Sequence, residues 1–113
     1  MKLSKETEQK INELQHLEQN MQALLLQRQN FQSQLNEISS ALEELGKTEK
    51  SYKIVGNIMV LRKKEELSAD LESKKEMMQM RIKALEKQEE KLKSKVTEIQ
   101  SAVMGEINAA EGK

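Results

Sequence analysis

The sequence predicts an all-α dominated protein in which two long helices form an antiparallel coiled coil joined by a single β-hairpin. Three observations predict this fold. The 113 residues include 34 % charged side chains, one Tyr, one Phe, no Trp, no Pro and only 4 Gly, which is typical of long helices rather than of a compact aromatic core or a loop-rich fold. Two segments repeat apolar residues in steps of three and four, and a short β-branched segment separates them. We therefore predict one domain over residues 1–113, with helix 1 at 1–46, a hairpin linker at 47–63 and helix 2 at 64–110.

Helix 1 is predicted from a heptad pattern in which two rows of positions form a narrow seam. The first row is Leu3, Lys10, Leu17, Leu24, Phe31, Ile38 and Leu45, and the second is Thr7, Leu14, Met21, Arg28, Leu35 and Leu42. A stripe of this width indicates a coiled-coil seam rather than the wider apolar face of a globular helix. Gly46 follows the last row position, where we expect it to cap the helix C-terminus.

Helix 2 is expected to begin between Lys63 and Glu66 and to carry a matching seam. Its rows are Leu71, Met78, Leu85, Leu92, Ile99 and Glu106, and Lys75, Ile82, Glu89, Val96 and Val103. The pattern weakens near Gly105. Neither helix can bury its stripe alone, so each needs the other.

The segment between the helices predicts a two-stranded hairpin. Gly56-Asn57 divides a run of β-branched and aromatic residues, and Gly at the first position of a two-residue loop indicates a type II′ turn. This turn pairs Val55 with Ile58 and continues outward, which leaves both faces of the hairpin apolar. Because one hairpin is marginal in water and has two unpaired edges, we expect it to oligomerise. The side chains expected at that interface are Tyr52, Ile54, Val55, Ile58, Met59, Val60 and Leu61.

The turn also predicts the register of the helices. Partners across Gly56-Asn57 have residue numbers that sum to 113, and the same sum places every position of one seam row opposite a position of the other. Shifts of seven residues would preserve this pairing, so the agreement supports the register without making it unique. In this register Arg28 and Glu89 lie one seam layer apart, and we predict a cross-helix ion pair between them.

Catalytic chemistry finds no support in the sequence. There is no Cys, His16 is the only His, and the paired glutamates occupy adjacent helical positions that point about 100° apart. We therefore expect no enzyme, no cofactor and no metal site. The net charge is zero, the longest continuous apolar runs are four residues, and the start MKLSKETEQK has no apolar signal-peptide core. These features argue against nucleic-acid binding, a membrane span and secretion.

Helix, hairpin and helix together resemble a β-class prefoldin subunit over essentially the whole chain. The most specific segments are Tyr52–Gly56 (YKIVG) and Leu85–Glu90 (LEKQEE), and the single hairpin matches the β class rather than the α class, which has two. The resemblance implies an ATP-independent chaperone that forms a cytoplasmic hexamer of two α-class and four β-class subunits. It also implies that the hairpins assemble into an intersubunit β-barrel, and that the coiled-coil ends hold unfolded proteins and pass them to a group II chaperonin.

We expect client binding at the ends of the helices remote from the hairpin, called the tip below. There Thr7, Lys10 and Glu106 interrupt the seam, so local opening would expose apolar groups to a client's apolar segment. The expected client-binding residues are Leu3, Ile11, Leu14, Ile99, Val103 and Ile107. The next candidates lie off the seam and are Leu25, Leu26, Met77 and Met80.

Two other classes of function remain open from the residues alone. One is a structural coiled-coil adaptor or tether that binds a folded partner through its helix faces and needs no hairpin assembly. The other is a helical arm that binds nucleic acid, against which the neutral charge argues.

Overall fold

The structure, a computed structural model, describes residues 4–111. Over this range the chain forms helix α1 (Lys5–Lys47), strands β1 (Ser51–Val55) and β2 (Ile58–Arg62), and helix α2 (Lys64–Glu111). The predicted fold class, two long helices joined by a single antiparallel hairpin, is confirmed. Leu3, one of the expected client-binding residues, lies outside the described residues.

The residues divide into two compact units, each containing parts of both helices. The hairpin unit comprises residues 29–84, and the described part of the terminal unit comprises residues 4–28 together with 85–111. The tip belongs to the terminal unit.

The buried face of each helix follows the predicted heptad rows. Every seam position within the described residues is buried or half-buried, whereas most other helical positions are exposed. The most buried apolar seam residues are Leu17, Leu45, Ile82, Leu85, Val96 and Val103. Among the described residues no side chain is completely enclosed, as expected where two helices pack without a third layer. In the hairpin unit the Arg81 guanidinium lies over the Phe31 ring, 5.7 Å from its centroid, and covers this seam residue from outside.

The hairpin has the predicted turn and register. Val55 pairs with Ile58, and the antiparallel ladder continues outward to Ser51 and Arg62. Gly56 has φ of 60° while Asn57 has a negative φ, the pattern of a type II′ turn. A left-handed backbone at the first turn position is the reason why glycine stands there.

The expected cap at the end of α1 is wrong. A glycine cap requires a left-handed residue just past the helix, but Gly46 lies within the last turn and does not have a positive φ. Polar side chains satisfy this end instead. The Thr48 hydroxyl donates to the Leu45 carbonyl at 3.3 Å, and Lys64 Nζ donates to the Gly46 carbonyl at 3.2 Å.

Candidate functional site

The hairpin exposes its apolar side chains. All seven residues expected at the oligomer interface are exposed in the isolated chain, from Val60 at 39 % to Ile54 at 70 %. They occupy both faces of the two-stranded sheet, because alternate residues of a strand point to opposite sides. Exposure of this much apolar surface to water does not stabilise a folded chain, so the hairpin has the character of a protein–protein interaction surface.

Polar contacts at the base of the hairpin hold it in shape. The Ser51 hydroxyl is buried and donates to the Arg62 carbonyl at 2.8 Å, and Arg62 Nε lies 3.3 Å from a Glu66 carboxylate oxygen. Next to this base a groove opens between one hairpin face and the helices of the same unit. Its apolar lining includes Ala41, Leu45, Tyr52, Ile54, Leu67 and Leu71. The groove continues the exposed apolar surface of the hairpin onto the helices.

The tip covers its apolar residues more than the hairpin does. Val103 is buried, at 6 % exposure, and the other expected client-binding residues that the structure describes are half-buried: Leu14 and Ile99 in the seam, and Ile11 and Ile107 beside it. Exposing them to a client therefore requires the helix ends to separate.

A polar cluster closes the tip. The carboxylate of Glu106 accepts a hydrogen bond from Lys10 Nζ at 2.6 Å through one oxygen, and another from the Thr7 hydroxyl through the other. Ser4 caps α1, since its hydroxyl accepts from the Thr7 backbone N–H at 3.1 Å. The Ser4 and Thr7 hydroxyl oxygens are also in contact, at 2.8 Å. Thr7 is the least exposed of the buried residues, at 2 %.

The electrostatics of the cluster favour the charged forms. The hydrogen bond to Glu106 raises the pKa of Lys10 above its usual value, against a smaller opposing effect of burial. The hydrogen bonds from Lys10 and then from Thr7 lower the pKa of the Glu106 carboxyl. Both groups therefore stay ionised at neutral pH.

Sequence analysis placed these three residues in the seam but missed their pairing. At the tip, the polar seam residues were interpreted only as weak points. The signal was present, since the residue numbers of Thr7 and Glu106 sum to 113 and a seam partner was therefore predictable. Which side chain would bond to which depends on rotamers, and these do not follow from spacing.

A second polar pair interrupts the seam of the terminal unit. Arg28 Nε donates to Glu89 Oε1 at 2.7 Å, and both side chains are largely covered. This confirms the predicted ion pair. Met21 and Leu25 line a shallow groove beside it.

Further apolar side chains lie exposed off the seam. The predicted alternatives Leu25, Leu26, Met77 and Met80 are all exposed. Met104, which sequence analysis did not single out, is 55 % exposed on α2 next to buried Val103. Its heptad position, outside both seam rows, would have identified it. Among the described residues, neither helix has an apolar stretch of the length that crossing a bilayer requires.

Comparison with known proteins identifies the family. The family model described as "Prefoldin subunit" matches residues 8–109. The chain is 39 % identical to prefoldin subunit beta of Archaeoglobus fulgidus over 105 residues, covering 90 % of each chain. It is 34 % identical to prefoldin subunit beta of Methanospirillum hungatei, covering 93 % of this chain and 90 % of the relative.

The solved structures agree with the sequence relatives. The crystal structure of the prefoldin beta subunit from Thermococcus strain KS-1 superposes with a TM-score of 0.88 at 29 % identity, covering 92 % of this chain and 94 % of that one. Prefoldin subunits are chaperones rather than enzymes, and they assemble with other prefoldin subunits. With its family model, its relatives and its fold in agreement, the chain belongs to the prefoldin family as a chaperone subunit of the β class.

Proposed function

We propose that four copies of this chain assemble with two α-class subunits into a hexamer, through a β-barrel built from the hairpins. The observation that carries the proposal is the exposure of seven apolar side chains on both faces of a lone two-stranded sheet. A hairpin with one solvated face would carry polar residues on that face. Here Ile54 and Met59 on one face and Val55 and Ile58 on the other are all more than half exposed, so both faces need cover.

The groove at the hairpin base supports the same assembly. Tyr52 and Ile54 line it from the hairpin, and Leu45 and Leu71 line it from the helices. A neighbouring subunit that covered the hairpin face would also cover these helical residues. The proposed interface is therefore wider than the hairpin and includes residues that sequence analysis assigned only to the coiled-coil seam.

The proposed chaperone activity is the ATP-independent capture of unfolded proteins at the tip, in the cytoplasm, followed by transfer to a group II chaperonin. Ile11, Leu14, Ile99, Val103 and Ile107 supply apolar surface there when the helix ends separate. Several tips in one assembly would hold one unfolded chain together, so weak contacts at each would add through effective concentration.

Reconstitution with an α-class subunit tests the assembly. The purified chains are mixed, and the native mass is measured. We expect the mass of two α-class and four β-class subunits. A stable complex of another stoichiometry would contradict the proposed hexamer.

Aggregation of a denatured test protein then tests capture and transfer. The assembly should suppress aggregation without nucleotide, and later addition of a group II chaperonin with ATP should release the protein in refolded form. A client that stays bound after chaperonin is added would contradict the transfer step but leave capture in place. An assembly that fails to suppress aggregation would contradict capture itself.

A further inference from the structure

The two helices that meet at the tip differ in how firmly each end is held in helical form. α1 begins at Lys5 and is capped by Ser4, whose hydroxyl accepts from the Thr7 backbone N–H at 3.1 Å. α2 instead carries Gly105 within its last two turns. A glycine inside a helix weakens it relative to alanine, because glycine has more backbone freedom to lose. The end of α2 should therefore unwind more readily than the start of α1.

The packing around position 105 does not require a glycine. Gly105 is exposed and does not have a positive φ, so alanine can adopt the same backbone conformation. A Cβ at this position would meet no heavy atom of the described residues within 4 Å, apart from its own neighbours in the helix. Local weakening of α2 is the physical effect that remains for a glycine at this place.

The residues that follow Gly105 cover the buried end of the seam. Glu106 and Ile107 come three and four positions after Val103, so all three lie on one face of α2. Helical side chains lean toward the N-terminus of their helix, so Glu106 and Ile107 extend over Val103, which is 6 % exposed. Unwinding of α2 from Gly105 onward would uncover Val103 and release Ile107 from its half-buried position.

One side chain ties this cover to α1. Glu106 accepts from Thr7 through one carboxylate oxygen and from Lys10 through the other. Among the described residues from 105 onward, no other side chain of α2 makes a hydrogen bond or an ion pair with α1. Both bonds must break when the end of α2 leaves the seam. Water can replace them, since the side chains of Lys10 and Glu106 are already 35 % and 34 % exposed.

We propose that the end of α2 is a gate over the apolar residues of the tip, with Gly105 as its hinge and Glu106 as its latch. The gate unwinds at the hinge, breaks both bonds of the latch and exposes Val103 and Ile107 to a client. The proposal rests on the proposed capture of clients at the tip. It adds the moving part and the two residues that control how often it opens.

Spin labels measure the gate independently of any client. The chain has no cysteine, so labels can be placed at Asn12→Cys on α1 and at Asn108→Cys on α2. A second pair combines Asn12→Cys with Ser101→Cys, which lies one heptad before Asn108 and on the other side of the hinge. All three positions are exposed. Labelled chains are diluted with unlabelled ones in the oligomer, so that each distance lies within one chain. The distance distribution should be broader for the pair that includes position 108.

Gly105→Ala stiffens the hinge without adding a contact. It should narrow the distance distribution between positions 12 and 108, with a smaller change between positions 12 and 101. Gly46→Ala is the matched control. Gly46 is also an exposed helical glycine whose added Cβ would meet nothing within 4 Å, but it lies in the hairpin unit. The control should leave both distributions unchanged.

Client binding should follow the fraction of open gates. The probe is a fluorescently labelled, uncharged peptide rich in Leu and Ser, and its affinity for the full-length oligomer is measured by fluorescence anisotropy. A site that is open only part of the time binds with an apparent affinity reduced by that fraction. Gly105→Ala should therefore weaken binding about two- to fivefold, the effect of a glycine-to-alanine change on a helical equilibrium. Gly46→Ala should bind as the wild type does.

Glu106→Gln releases the latch and should act in the opposite direction. Its amide has one oxygen and no charge, so it cannot hold Thr7 and Lys10 through separate carboxylate oxygens. We expect a broader distance distribution between positions 12 and 108, and peptide binding that is tighter by up to about fivefold, the scale of a partly exposed ion pair. Weaker binding by this variant would show that Glu106 contacts the client directly, and would overturn the latch.

The outcomes separate the gate from the proposed function. Distances that do not respond to Gly105→Ala and Glu106→Gln would overturn the hinge and the latch, and would leave client capture intact. Distances that respond while peptide binding stays the same in all variants would overturn the gate as the control of capture. A wild type that neither binds the peptide nor suppresses aggregation would contradict capture itself, whatever the distances show.

Discussion

The hairpin and the tip differ in the kind of side chain that each exposes and buries. The hairpin exposes apolar side chains, with Ile54 at 70 %, while the tip buries a polar one, with Thr7 at 2 %. An exposed apolar surface has no partner within the chain, so it is stable only when another subunit covers it for good. A buried polar group that is fully hydrogen-bonded is stable as it stands, and it reopens at modest cost because water can replace its partners. In the proposed function, permanent assembly and reversible capture therefore use opposite kinds of surface.

Making the hairpin polar should have the largest effect on assembly. Ile58→Asp with Val60→Asp places charges on one face of the sheet, which costs several kcal/mol, or about 2–7 for each polar group left unpaired in an apolar interface. We expect the oligomer to be lost while the helices persist, as measured by native mass and circular dichroism.

Exposed residues outside the hairpin provide the control. Leu26→Asp with Met80→Asp changes two side chains that are at least as exposed as the hairpin pair, at 67 % and 72 %, and the native mass should remain. If the hairpin variant keeps its full mass at micromolar concentration, assembly does not depend on this face.

Removing the tip should have the reverse effect. Deletion of residues 1–12 and 103–113 removes the polar cluster and the apolar groups beside it, but leaves the hairpin unit complete. We expect an intact oligomer that strongly loses suppression of aggregation of a denatured test protein. A truncated oligomer that protects fully would move the client site to the exposed residues Leu25, Leu26, Met77 and Met80.

The Arg28–Glu89 pair allows a polar contact inside the seam to be compared with the polar cluster at the tip. It is a polar interruption like the tip, but it lies between apolar layers rather than at the helix ends. Reversing either charge alone should destabilise the coiled coil, and reversing both should recover part of the loss. We expect a coupling of about 0.5–1 kcal/mol in thermal or chemical unfolding. Strictly additive single effects would reject the contact.

The pH dependence of the tip is the smallest expected effect. The folded pKa of Glu106 is lowered, so its contribution is present above the usual value of 4.5 and is lost as the pH falls through the lowered value. The folded pKa of Lys10 is raised, so its contribution is present below 10.5 and is lost as the pH rises through the raised value. Spin labels attached at Asn12→Cys on α1 and Ser101→Cys on α2, both exposed positions, measure the distance between the two helix ends. The distribution of this distance should be narrowest at intermediate pH. In Glu106→Gln the acidic limb of this profile should disappear.

Patterns with a fixed period were predictable from the sequence, and individual polar partners mostly were not. Gly56 determines the turn, the turn determines the strand register, and the heptad rows determine which helix face is buried, since each follows from backbone geometry alone. Arg28 and Glu89 were predictable as a pair because they are two long, opposite charges in neighbouring seam layers. Lys10 and Glu106 meet the same condition, and their pairing was missed.

The cap of α1 and the sharing of the Glu106 carboxylate at the tip could not be predicted in the same way. Gly46 was expected to end α1, but Thr48 and Lys64 bond to the last carbonyls, and an ordinary helical turn at Gly46 then suffices. At the tip, Thr7 and Lys10 compete for one carboxylate, and the sharing of its two oxygens depends on side-chain geometry. The choice of hydrogen-bond partners at these places depends on the three-dimensional arrangement of the side chains and not on the heptad repeat.

The bond between Thr7 and Glu106 joins residues 99 positions apart, and this separation orders the folding of the chain during synthesis. Hairpin partners leave the ribosome almost together, since Val55 and Ile58 are three residues apart. Each seam layer farther from the turn must wait longer for its partner. The N-terminal turns of α1 therefore emerge early, with Ile11 and Leu14 uncovered, and are among the last to be paired. A chaperone subunit thus passes through an incompletely paired, exposed condition itself, for the time that the ribosome takes to add those 99 residues.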